Sequence, residues 1–152
     1  MGKEKEVKRL LEDFDGHIIV SGITGSGKSF LLHEANIRDS KYYDFVEITP
    51  DFPCSYMCSL NEDNFNEINS AYNFLEASER TLILDFVEIT DGFNQSNIIN
   101  FIKVARKYGK RLIIVTYPSH AEKIKWLFGA VITMSRFNGE VTFDVEMING
   151  SR

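Results

Sequence analysis

A chain of 152 residues, 43% hydrophobic and 26% charged, has the length and make-up of one domain able to bury a real core. Its net charge of −5 argues against broad coating of nucleic acid while leaving room for a local basic patch. No apolar run approaches the ~18–20 residues of a membrane span. The start, MGKEKEVKRLLEDF, lacks the apolar segment of a signal peptide, so a cytoplasmic protein of cellular or viral origin is expected.

In chain order, residues 3–13 predict a short charged helix with Val7, Leu10, Leu11 and Phe14 on one face, broken by Asp15-Gly16. HIIVSG is an apolar strand that runs into GITGSGKS and the helical SFLLHEANI. KYYDFVEIT, rich in aromatic and β-branched residues, predicts a second strand. Pro50 and Pro53 mark a loop, and NEDNFNEINSAYNFLEA has the spacing of an amphipathic helix. TLILDF is a third strand, apolar enough to be buried on both faces. SNIINFIKVARKYGK then predicts a helix, RLIIVTY a fourth strand, PSHAEKIKWLF a short helix and AVITMSR a fifth strand. Asn138-Gly139 is a hairpin signal before the last strand, VTFDVEMI. This alternation predicts an α/β fold in a single domain, 1–152. An N-terminal helix (1–14) precedes a core (17–135) whose largely parallel sheet is covered on both faces, and a C-terminal antiparallel edge strand and tail (136–152) follow.

Gly22-Ile23-Thr24-Gly25-Ser26-Gly27-Lys28-Ser29 fits the G-x-x-x-x-G-K-[ST] phosphate loop, with a strand leading in and the helical SFLLHEANI leading out, and Phe30, next to the motif, joins these residues as a nucleotide-binding candidate. Glycines allow sharp turns and close approach, so that backbone N–H groups point at an anion, and the helix adds its positive end. Lys28 can reach the outer phosphates of ATP, and the Ser29 hydroxyl can ligate Mg²⁺. Asp85, closing the apolar third strand, is the candidate carboxylate for the same Mg²⁺.

The hexapeptide DFVEIT occurs at 44–49 and again at 85–90. In the first copy Asp44 is expected to open its strand, and in the second Asp85 closes one; the copies then differ in register and match by coincidence. They expose two rival water-activating glutamates, Glu88, three residues beyond Asp85, and Glu47. Glu88 is slightly preferred, and a third possibility is that neither serves.

HIIVSGITGSGKSFLLH and FIKVARKYGKRLIIVTYPS together resemble the signatures of FtsK- and HerA-type DNA translocases, a resemblance covering residues 17–120. It implies a RecA-like P-loop ATPase that works as an oligomeric ring on double-stranded DNA, as viral packaging ATPases do. By resemblance Thr116 is a sensor of the γ-phosphate or attacking water. Tyr117 and Phe86 depart from the family pattern, which has Thr-Gln at the strand end and, in many motors, Glu after the Asp. Glu47 stands where proteins resembling RecA and KaiC carry their glutamate, so a regulatory ATPase that switches a protein partner is the alternative. A small-molecule kinase ranks last, because no arginine-rich lid cluster occurs between residues 50 and 130. Arg106 and Arg136 are candidate fingers for a neighbouring subunit, although a surface or ion-pair role is favoured for each.

The remaining features favour bland readings. Lys103, Arg106, Lys107, Lys110 and Arg111 could touch DNA, but positive charge also suits a helix carboxyl end. Cys54 and Cys58 lack zinc or redox spacing and read as free thiols. His17, His33 and His120 are scattered and suggest no metal site, and Trp126 reads as core or a subunit contact.

Overall fold

The computed structural model of the chain describes residues 2–23, 27–44, 75–85, 87 and 93–148. In order these form α1 (Gly2–Asp13), β1 (Ile18–Gly22), α2 (Lys28–Glu34), β2 (Ser40–Asp44), β3 (Thr81–Asp85), α3 (Phe93–Lys107) and β4 (Arg111–Thr116). Then follow α4 (Pro118–Ile124), a 3₁₀ turn (Lys125–Leu127), β5 (Ala130–Phe137) and β6 (Glu140–Met147). The helix expected at 61–77, both cysteines, Glu47 and Glu88 lie outside the described residues or, for 75–77, form a turn.

One six-stranded sheet has the order β2-β3-β4-β1-β5-β6, parallel throughout except for the β5–β6 pair. Strand alternation sorts the core into two layers. Ile18, Val20, Ile83, Ile113, Val115, Ile132 and Met134 meet Val7 and Leu11 of α1 and Leu31 and Leu32 of α2. On the opposite face Ile19, Leu82, Leu84, Leu112, Ile114 and Val131 meet Phe101, Ile102 and Ala105 of α3 and Ala121 and Ile124 of α4. Both neighbours of β1 are parallel strands and helices cover its two faces, so its residues are buried on every side. Hence its continuous apolar run.

The edge hairpin follows its turn chemistry. Asn138 and Gly139 have φ of 52° and 80°, the left-handed pair that a two-residue turn matched to strand twist requires. Phe137 pairs with Glu140 across it. α2 is shorter than SFLLHEANI suggests, because Ala35 is extended with ψ 145°. β2 also differs from expectation. Asp44 does not open the strand; it is the fifth residue of Ser40–Asp44 and pairs in register with Asp85. The two DFVEIT copies therefore begin side by side on neighbouring parallel strands, and the difference in register expected from sequence does not exist.

Candidate nucleotide site at the carboxyl edge of the sheet

β1 hands the chain to α2 on one face, while its neighbour β4 hands it to α4 on the other. The two connections leave on opposite faces of the sheet, which makes the carboxyl ends of β1 and β4 a topological switch point, the place where open α/β sheets take ligands. Gly22, Asp85, Thr116 and the end of β5 all arrive at this edge.

Gly27, immediately before α2, has φ 95°, a backbone state that side-chain-bearing residues resist, and its carbonyl accepts the N–H of Leu31. A Cβ at Gly27 would stand 3.8 Å from both Arg136 Nη2 and Met134 Cε. Arg136, considered above for a neighbouring subunit, thus reaches the phosphate-loop segment of its own chain. Lys28 begins α2 and turns back over the loop, its Nζ donating to the carbonyls of Gly22 at 2.6 Å and Ile23 at 3.0 Å. Burial lowers its pKa, and the negative charge of Asp85 opposes that shift. The Lys28 ammonium thus rests on loop carbonyls within the field of a buried carboxylate. Ile23 and Phe30 are 64% and 70% exposed at this mouth. Thr24, Gly25 and Ser26 lie outside the described residues; of Ser29 the backbone in α2 is described.

Asp85 is buried at the end of β3. The Tyr42 hydroxyl donates to its Oδ2, and the Tyr42 ring stacks on His33 of α2 with centroids 4.7 Å apart. At the end of β4, Thr116 is buried and its hydroxyl donates to the carbonyl of Val87 at 2.5 Å. The Val87 N–H in turn donates to the carbonyl of Val115 at 2.9 Å. This clip ties Val87 to the end of β4. The next residue, Tyr117, places its ring 5.6 Å from Lys28 Nζ and makes an edge contact with His120.

Among the described residues no group of three or more His, Cys, Asp or Glu side chains converges to hold a metal by itself. One buried carboxylate and a serine at the head of α2 suit Mg²⁺ when nucleotide phosphates supply the remaining ligands, which is how this ion is usually held. These two residues therefore fit a metal–nucleotide complex.

Arg106 lies at the opposite edge of the sheet, near the start of β4, where its Nη2 donates to the carbonyl of Leu127 at 2.8 Å. The basic cluster around it is partly consumed by structure. Lys110 Nζ serves the carbonyls of Ala77 and Glu79, and Arg111 is buried with Nη2 on the carbonyl of Leu11 at 2.6 Å. Trp126 is 52% exposed, so the core reading of it is set aside. Sequence reasoning missed Tyr42, His33 and His120. Tyr117 alone carried a signal, by its position after Thr116.

No protein-family model matches the sequence, and no curated protein matches it. Among solved structures, a KaiC-like protein from the hyperthermophilic archaeon Pyrococcus horikoshii gives a TM-score of 0.51 at 12% identity, covering 91% of this chain and 82% of that one. DnaA from Aquifex aeolicus with AMPPCP bound gives 0.44 at 18% identity, covering 76% of this chain and 36% of that one. The first likeness shows the fold: a RecA-like P-loop architecture with a C-terminal antiparallel hairpin.

Proposed function

We propose that the chain binds ATP at the carboxyl edge of β1 and hydrolyses it with Mg²⁺. The observation that carries this reading is the Lys28 ammonium, held on the carbonyls of Gly22 and Ile23 within the field of Asp85. In the proposed cycle Lys28 transfers to the outer phosphates, and the backbone of 22–29 receives the rest of the chain of phosphates. Ser29 and Asp85 hold Mg²⁺, which neutralises charge that develops on the phosphates. Glu88 is favoured to orient and deprotonate water, because the Val87 clip to β4 restrains the chain immediately before it. Glu47 stays the rival, on a segment that starts beside Asp85 in register. Arg136 is proposed to add positive charge in its own chain's site rather than in a neighbour's.

The finer reading is an oligomeric motor on double-stranded DNA, following the resemblance to translocases. A regulatory ATPase of RecA or KaiC kind, switching a protein partner, is favoured by one observation: Arg106, Lys110 and Arg111 are engaged with backbone carbonyls of their own chain, which thins the surface that DNA phosphates would meet. ATPase rate with and without double-stranded DNA, and gel-filtration mass with and without ATP, separate the two. A DNA-stimulated rate with ATP-dependent assembly supports the motor. A rate indifferent to DNA supports the switch. No ATP turnover under either condition would leave a binding protein and remove the enzyme reading.

A further inference from the structure

Tyr42 sits in edge strand β2 with Ile83 as its register partner, so Asp85, two residues along β3, is its diagonal neighbour on the same face of the sheet. Diagonal pairs lie within reach of aromatic side chains, and the Tyr42 hydroxyl uses that reach to donate to Asp85 Oδ2. That face is also the one covered by α2. His33, from the last turn of α2, stacks on the Tyr42 ring at 4.7 Å and 29°. One tyrosine thus touches both the helix that starts with Lys28 and the carboxylate at the end of β3. A carboxylate at a strand end can rotate about its terminal torsion, which is broad and weakly restrained. A hydroxyl donor fixed by its own ring stack removes that freedom.

We propose that Tyr42 is a positioning residue for Asp85, orienting the carboxylate toward the divalent cation of a bound metal–nucleotide complex. The inference rests on the metal–nucleotide reading of this edge. It assigns to Tyr42 no contact with nucleotide. Its effect passes through Asp85, so it belongs to the part of binding that depends on the metal.

The test is equilibrium binding of fluorescent N-methylanthraniloyl-ATP, measured in EDTA and again in excess Mg²⁺, for four proteins: wild type, Tyr42→Phe, Asp85→Asn and the double variant. Phenylalanine keeps the ring and its stack on His33 and loses the hydroxyl. Expected is unchanged affinity in EDTA for Tyr42→Phe, which also reports an intact fold, with the gain from Mg²⁺ cut about 10-fold, the low end for losing a partner of a metal-binding carboxylate. In the Asp85→Asn background the tyrosine substitution should change nothing further, since coupled residues are not additive. If Tyr42→Phe keeps the full Mg²⁺ gain while Asp85→Asn loses it, or if the two effects add in full, the positioning role is overturned and the nucleotide reading stands. A larger Mg²⁺ gain in Tyr42→Phe would make the tyrosine a competitor of the metal and overturns the proposal equally. If Asp85→Asn also keeps the gain, or the wild type binds no nucleotide in Mg²⁺, the metal–nucleotide reading fails and this inference with it.

Discussion

At the scale of single residues, the glutamates are the sharpest question. A residue that orients and deprotonates water is needed in the transition state and not for holding ATP. Glu88→Gln is therefore expected to bind ATP as wild type does while hydrolysis falls about 10²–10⁴-fold, the usual scale for a lost general base. Glu47→Gln is expected to change turnover little. Single-turnover hydrolysis beside nucleotide affinity makes the check, and the reverse pattern would shift the site toward the RecA- and KaiC-like arrangement. Residue types were legible where the chemistry is local in sequence. The position of Asp85 at a strand end could be read from the apolar run before it, and the motif at 22–29 from its spacing, its part in binding nucleotide being a proposal. Tyr42 and His33 could not. Their meeting with Asp85 depends on how β2 registers on β3 and on which face α2 covers, and neither is encoded within a few neighbours. The partners of the basic cluster were hidden for a related reason: the carbonyls that Lys110 and Arg111 satisfy belong to segments ~30 and ~100 residues earlier.

At the scale of elements, β1, β3 and β4 were legible because burial on both faces demands continuous apolar runs, and five of the six strands, the more exposed β5 and β6 included, match the segments read from sequence within one or two residues. β2 was the exception. KYYDFVEIT is uniformly β-prone and carries no mark of how it registers on its neighbour, so composition placed Asp44 at the start of the strand although it is the fifth residue of Ser40–Asp44. The β5–β6 turn was legible because the dipeptide itself sets the backbone. Gly139 has φ 80°, and nothing lies within 4 Å of a Cβ built there, so strain alone decides the outcome of a substitution. Gly139→Ala should cost about 1 kcal/mol, read as a lower urea midpoint at unchanged slope. A neutral result would mean that the hairpin relaxes into another turn.

At the scale of the whole molecule, His17 ties stability to pH. It directly precedes β1 in a buried position, its Nδ1 accepts the N–H of Leu112 at 2.9 Å, and Nε2 has no hydrogen-bond partner among the described residues. Burial, with the charges of Arg106, Arg111 and Arg80, lowers its pKa from 6.5 to about 4. Between those values the unfolded chain binds a proton that the folded one refuses. Stability contributed here is fully present above pH 6.5 and is lost as pH falls toward 4, by up to about 3 kcal/mol. His17→Gln should shrink the difference in urea midpoint between pH 7.5 and pH 4.5; an undiminished difference would place the acid sensitivity elsewhere. The architecture as a whole was legible from strand and helix alternation, and the position of β1 between β4 and β5 puts the segment after it at the sheet's switch point. That a nucleotide sits there is the central claim, and Lys28→Ala tests it most directly. Removing the ammonium held over the loop leaves the apolar layers untouched. Titration of Mg-ATP by calorimetry should show binding to wild type and a loss of at least about 10-fold in affinity, some 1.4 kcal/mol, in a variant whose urea midpoint is unchanged. Equal affinity for wild type and Lys28→Ala would contradict it.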